Sequence, residues 1–133
     1  MPEHLTAPVE ELLGGLLKSS LLGFRDRFNA NPRVKKLIKS WDRHILIEAT
    51  DTGAAFTLVV KDLAISGLED GSRGAAMAEA SRIHLQADED TQTEIFSGRY
   101  NPATALLDGV LAVYCSERDK VKLEALAMVL WGM

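Results

Sequence analysis

The chain has 133 residues, 47% hydrophobic and 26% charged, with a net charge of −4. That length suits one domain with its own hydrophobic core. The composition argues against disorder, and the negative balance argues against bulk attraction to nucleic acid.

No internal repeat, low-complexity tract or long linker divides the chain, so residues 1–133 read as a single domain with a helical N-terminal part, 1–43. Charge is unevenly spread: residues 1–44 carry eight Lys or Arg against five Asp or Glu, and residues 45–133 carry seven against fourteen. The basic excess sits mainly in Arg33, Lys35, Lys36, Lys39 and Arg43. Two readings are open for it, a patch that touches an anionic membrane surface and the solvated face of an amphipathic helix. Cys115 is the single cysteine, which leaves no partner for an internal disulfide, and its strand-like setting suits a buried structural thiol. Glu3, Glu10 and Glu11 stand where a secretory leader would be basic, and no apolar run reaches the length of a membrane span. A soluble, cytoplasmic protein is expected.

Thr6 caps a first helix in which Leu12, Leu13, Leu16, Leu17, Leu21, Phe24 and Phe28 recur at helical spacing. Gly14 and Gly15 cost roughly 1 kcal/mol each against Ala, so packing must hold this helix, and Gly23 marks a place for it to end or kink. Asn31–Pro32 supplies a cap followed by proline at the first helical position, with Val34, Leu37, Ile38 and Trp41 as an apolar stripe behind it. The period then changes to two. Ile45, Ile47 and Ala49 alternate with His44, Leu46, Glu48 and Thr50; Asp51–Thr52–Gly53 turns the chain, and Phe56, Leu58 and Val60 complete a hairpin. Leu63 to Gly67 reads as a short third strand and Leu68 to Ala80 as an irregular connection of Gly and small residues. Ile83, Leu85 and Ala87 alternate with Arg82, His84 and Gln86 in a further strand whose outer face is polar.

Asp88 caps a helix ending near Ser97, with Glu89 and Asp90 in the first turn, where the helix dipole favours acids. Gly98 suits the left-handed position that closes it. Asn101–Pro102 repeats the cap-plus-proline pattern, Gly109 ends a second short helix, and Val110 to Cys115 is the last strand. Ser116 caps a C-terminal helix, with Asp119 at capping-box spacing. From Ala125 to Met133 that helix carries no charge and is apolar all round. Such a helix is expected to be covered on every side, by another helix, a subunit partner or an apolar ligand.

No catalytic constellation emerges. His4, His44 and His84 lie in different elements without partners at metal-ligand spacing, and His44 and His84 read as solvated residues of one sheet face. There is no Walker loop, dinucleotide glycine fingerprint or nucleophile elbow. Asp88, Glu89 and Asp90 are explained by their place in a first helical turn. The expected protein is not an enzyme and takes no metal and no cofactor.

The segment from Ile45 to Leu130 resembles the sterol carrier protein 2 (SCP2) family of lipid-binding domains. The matching pieces are FTLVVKD (Phe56 to Asp62), IHLQADED (Ile83 to Asp90) and EIFSGRYNPATALLDGVLAV (Glu94 to Val113), in which Gly98, Asn101, Pro102, Ala105 and Gly109 stand where the family pattern wants them. The resemblance implies an α+β fold, with a five-stranded, mainly antiparallel twisted sheet and helices on one face enclosing an apolar tunnel. It implies a carrier of fatty acids, acyl-CoA, sterols or other lipids. Two departures stand out: Cys115 replaces a glycine common near the end of the last strand, and the chain ends WGM rather than in a peroxisomal address. Enclosing a sixteen-carbon chain at about 0.8 kcal/mol per methylene gives roughly 12 kcal/mol gross, before ordering costs.

The residues expected near the tunnel are Phe96, Tyr100, Leu106 and Leu107 from the two short helices, Leu126, Met128 and Leu130 from the last helix, and Met77 from the connection. The alternative is an interaction module of the same fold that uses the apolar C-terminal helix to form a homodimer or to dock on an enzyme, for example presenting quinone or isoprenoid lipids. Arg33, Lys35, Lys36 and Lys39 would then give transient membrane contact.

Overall fold

The computed structural model describes residues 15–71 and 82–132. The Thr6 cap, Leu12, Leu13, most of the Leu68–Ala80 connection and Met77 lie outside the described residues. Helix α1 spans Gly15–Ala30 and buries Leu17, Leu21, Phe24 and Phe28, the 4-3-4 spacing of one helix face. It passes through Gly23 without ending there, contrary to the expectation from sequence. A Cβ at Gly23 would meet only Arg27 Nη1, at 3.7 Å, and the buried residues on both sides hold the helix together. Helix α2 (Pro32–Leu37) starts at Asn31, whose side chain accepts from the N–H groups of Arg33 and Val34. Val34, Ile38 and Trp41 are buried behind it, while Arg33, Lys36 and Lys39 are exposed. Lys35 differs from these: its Nζ donates to Leu63 O at 3.2 Å.

The strands are β1 (Arg43–Ala49), β2 (Ala55–Lys61), β3 (Ala64–Asp70), β4 (Arg82–Ala87) and β5 (Ala112–Tyr114). They form one five-stranded sheet in the order β3-β2-β1-β4-β5. The central pair β1·β4 is parallel; β1·β2, β2·β3 and β4·β5 are antiparallel. The expected mainly antiparallel α+β sheet is therefore present, with a parallel seam at its centre. β3 runs beyond Gly67 to Asp70, so the start of the expected irregular connection is strand. It joins β2 through a tight turn in which Asp62 and Leu63 both take positive φ, 55° and 69°.

Alternation places Ile45, Ile47 and Ala49 with Phe56, Leu58, Val60 and Ile83 on the core face, all buried. The opposite face is less open than its polar residues suggest. Leu46 and Thr57 pair directly across β1 and β2 and are both buried. His44 and His84 share that face but are half-buried rather than solvated, and His84 Nε2 lies 2.7 Å from Glu48 Oε1. Gln86 Nε2 donates to the same oxygen, and these two contacts, Gln86 first, hold the Glu48 carboxyl below its ordinary range.

Helix α3 (Glu89–Phe96) begins at Asp88, whose carboxylate accepts from Thr91 N at 2.7 Å. It closes at Gly98, with φ of 91°. Helix α4 (Pro102–Leu107) starts at Asn101, which accepts from Ala103 N and donates through Nδ2 to Gly132 O. Helix α5 (Glu117–Leu130) begins at Ser116, whose Oγ accepts from Asp119 N at 3.1 Å. The Asp119 side chain crosses the fold instead of completing a local capping box. It is fully buried and accepts from Trp41 Nε1 and Arg43 Nε, each at 2.9 Å. Burial, the largest influence, pushes its pKa up, but the bonds from Arg43, Trp41 and Ser116 outweigh it and hold the group below its ordinary value.

Among the described residues the chain itself covers α5 on one side only, which leaves a subunit partner or a ligand as the expected cover of its outer face. Val121 and Met128 are 66% and 58% exposed, and only Leu126 among its apolar residues is fully buried. The helix packs through one side.

Candidate functional site

Between the core face of the sheet and the helices lies a cavity of about 280 Å³. The sheet supplies Ile45, Leu58, Leu85 and Val113 to its wall, and α1 supplies Phe24 and Phe28. Ile95 and Phe96 come from α3, Leu106 from α4, and Leu123, Leu126, Ala127 and Leu130 from α5. The α5 residues follow the i, i+3, i+4, i+7 spacing of one helical face. A capped α4 and a capped α5 flank the opening. The most exposed wall residues are Ala103 and Leu106 of α4 and Lys120 and Glu124 of α5, with Pro102, Leu123, Ala127 and Leu130 half-buried beside them.

Aromatic rings form another part of the wall. Phe24 stacks on Trp131 with centroids 5.3 Å apart and meets Phe96 edge-on at 5.0 Å. Trp131 Nε1 donates to Ile95 O at 2.7 Å, and Arg27 Nη2 donates to Phe96 O at 2.7 Å. The first bond gives the Trp131 indole N–H its partner and ties that ring to α3, and the second ties α1 to the end of α3. Gln92 also lines the cavity; its residue is 0% exposed, and its Nε2 donates to Glu48 O at 2.9 Å and Leu85 O at 3.2 Å.

Of the residues expected near a tunnel, the structure brings together Phe96, Leu106, Leu126 and Leu130. Three others do not reach it. Leu107 is 88% exposed and Met128 points outward; each sits about 100–200° round its helix from a wall residue, the rotation of one or two positions. Tyr100 packs beside the core, and its hydroxyl donates to Asp108 Oδ2, a contact that raises the phenol pKa. Met77 lies outside the described residues. Phe24 and Phe28 recur at helical spacing and Trp131 lies in the uncharged C-terminal stretch, which marks all three as apolar without marking a cavity. Their helical spacing identified buried faces, but nothing local says which buried ring borders a void.

The wall can hold an apolar molecule and offers little for bond-breaking chemistry. Among the described residues no group of three His, Cys, Asp or Glu could hold a metal ion. Cys115 packs against the core outside the wall, and burial pushes its thiol pKa up, which keeps it protonated at neutral pH. No described helix is long and apolar enough to cross a membrane.

No protein-family model and no curated protein sequence matches the chain. Solved structures share its fold. Sterol carrier protein 2 superposes with a TM-score of 0.59 at 19% identity, covering 85% of this chain and 94% of its own. The ubiquinone synthesis protein UbiJ-SCP2 does so at 0.56 and 16%, covering 90% and 96%. Palmitated SCP2L2 from Aedes aegypti does so at 0.56 and 12%, covering 86% and 93%. At these identities the likeness shows the fold alone, an α+β arrangement shared with these structures.

Proposed function

We propose that the protein is a non-enzymatic, cytoplasmic carrier that holds a fatty acid, acyl-CoA, sterol-like molecule or other long apolar ligand in the cavity. One observation carries this reading: a void of about 280 Å³ walled almost entirely by apolar side chains. An apolar cavity of roughly 150 Å³ is enough to bind benzene, and ligand pockets begin near about 300 Å³. Phe96, Leu106, Leu126 and Leu130 are the proposed contacts, joined by Phe24, Phe28 and Trp131. The shared fold with a palmitated protein supports the choice of ligand class.

Palmitate added at a hundredfold excess over its dissociation constant should stabilise the protein by about 2.7 kcal/mol. Thermal unfolding with and without palmitate, together with native mass spectrometry of the purified protein, tests this. No adduct and no thermal shift with any fatty acid or sterol would overturn the carrier reading.

A second reading has its own observation. Leu106, Leu107, Val110, Val121 and Met128 are exposed apolar residues on α4, α5 and the loop after α4. They suit a homodimer or a dock on an enzyme that receives quinone or isoprenoid lipids, and the shared fold with a ubiquinone synthesis protein supports it. Sedimentation showing a monomer at all concentrations would remove the dimer. Membrane contact through Arg33, Lys36 and Lys39 is proposed as electrostatic, with Lys35 partly committed to Leu63 O. Binding to anionic vesicles should then weaken with salt.

A further inference from the structure

We infer that the cavity measures chain length: it takes a single alkyl chain of about eleven carbons, not a sterol, and leaves the rest of any longer chain in water. The inference rests on the cavity being a ligand site and narrows the class of ligand proposed for it.

The scale comes from volume. An apolar cavity of roughly 150 Å³ takes one benzene, which is about 25 Å³ per carbon. At that rate the void of about 280 Å³ has room for about eleven carbons. Palmitate exceeds it by about five carbons, and a sterol of more than about twenty-five carbons needs over twice the space. Among the described wall residues the charged ones are Lys120 and Glu124, both exposed and one helical turn apart on α5. A polar head keeps charge and water beside them, whereas a carboxylate set among the apolar side chains would lose its hydration without a partner. The head and any surplus methylenes therefore stay on the Lys120 side.

A ruler needs a wall that does not yield, and the helices that form this one are fastened. Near its start α5 is held by Asp119, which accepts from Trp41 Nε1 and Arg43 Nε, and by Lys122 Nζ, which donates to Leu37 O at 2.6 Å. Beyond its end Trp131 Nε1 donates to Ile95 O, and Asn101 Nδ2 at the start of α4 donates to Gly132 O at 2.9 Å. Arg27 Nη2 ties α1 to α3 at Phe96 O. Spreading these helices to admit more carbons breaks such bonds and strands donors that are buried or half-buried. Methylenes beyond the eleventh stay hydrated and add little to affinity.

Isothermal titration calorimetry with octanoate, decanoate, dodecanoate, tetradecanoate and palmitate, each below its micelle concentration, reads the ruler directly. A fully enclosed methylene tightens binding about fourfold, so decanoate should bind about sixteenfold more tightly than octanoate. From dodecanoate to palmitate the whole gain should stay under about fourfold, and cholesterol sulfate should bind more than about tenfold more weakly than dodecanoate. Ala127→Leu adds carbon to the wall and should move the break to about eight carbons; Leu123→Ala removes it and should move the break to about fourteen. Gains that stay near sixteenfold per two carbons up to palmitate, or cholesterol sulfate binding as tightly as dodecanoate, overturn the ruler and leave the carrier reading intact. A break that stays at about eleven carbons in both folded variants does the same. If neither variant folds, the wild-type series decides alone. Binding of none of these compounds overturns both readings.

Discussion

Replacing Asp119 with Ala removes the point at which α5 is fastened to the start of the sheet. Asp119 is fully buried and holds Trp41 Nε1 and Arg43 Nε at 2.9 Å each. The Arg43 side chain is only 19% exposed, so its guanidinium cannot simply rehydrate. Truncating one partner of a buried ion pair costs about 3–5 kcal/mol, because the remaining charge stays behind unpaired. The stranded indole N–H of buried Trp41 lies within that figure, at about 1–3 kcal/mol. With a urea m-value of roughly 2 kcal/mol per molar, the midpoint should fall by about 2 M. Equilibrium urea unfolding measures it, and the double variant Asp119→Leu/Arg43→Met should recover much of the loss, since it leaves no unpaired charge. Acid gives a second arm. The Asp119 pKa is depressed in the folded protein, so its contribution is present above the unfolded value near about 3.9. It is lost as pH falls through the folded value. The gap between wild type and Asp119→Asn should therefore close on acidification below about pH 4. A loss under about 1 kcal/mol for Asp119→Ala, or a gap independent of acid, would show that Asp119 is not the anchor of α5.

Filling the cavity should separate binding from folding: Ala127→Phe places a ring among wall residues at the mid-face of α5, and palmitate should no longer raise the melting temperature while the far-UV circular dichroism stays that of wild type. Leu63 holds φ of 69° in the β2–β3 turn, so Leu63→Gly should relieve left-handed strain and raise stability by about 1 kcal/mol in urea unfolding. Leu126→Ala should cost about 2–5 kcal/mol by enlarging the void. Leu107→Ser, at a largely exposed site, should stay within about 0.5 kcal/mol of wild type. Similar losses for the two would contradict the assignment of inner and outer helix faces.

Much of this architecture was legible in the chain because it depends on groups a few residues apart. Asn31, Asp88, Asn101 and Ser116 each cap the helix that follows, accepting from an N–H two or three residues on. Gly98 and Gly109 take positive φ just after their helices. Alternation in Ile45–Ala49 and Phe56–Val60 identified the core face of the sheet, as the pleat requires. These are local rules of backbone satisfaction and side-chain period, and they also carried the family resemblance.

Other features depend on segments far apart in the chain meeting in space. The parallel seam of β1 and β4 joins residues separated by a whole hairpin and connection. Asp119 has the spacing of a local cap partner, yet the nearness of Trp41 and Arg43 turns its side chain into a cross-fold anchor. Leu106 and Leu107 are alike in sequence; the seating of α4 against α5 puts one in the cavity wall and the other in solvent. Gln92 reads as an ordinary polar residue in a capped helix, and only the fold brings its amide nitrogen to the carbonyls of Glu48 and Leu85. Thus the sequence by itself determined the elements and their buried faces, through interactions spanning a few residues. The tertiary structure decided the void, its aromatic wall and the cross-fold anchor at Asp119, because each is a property of surfaces brought together only when the chain closes on itself.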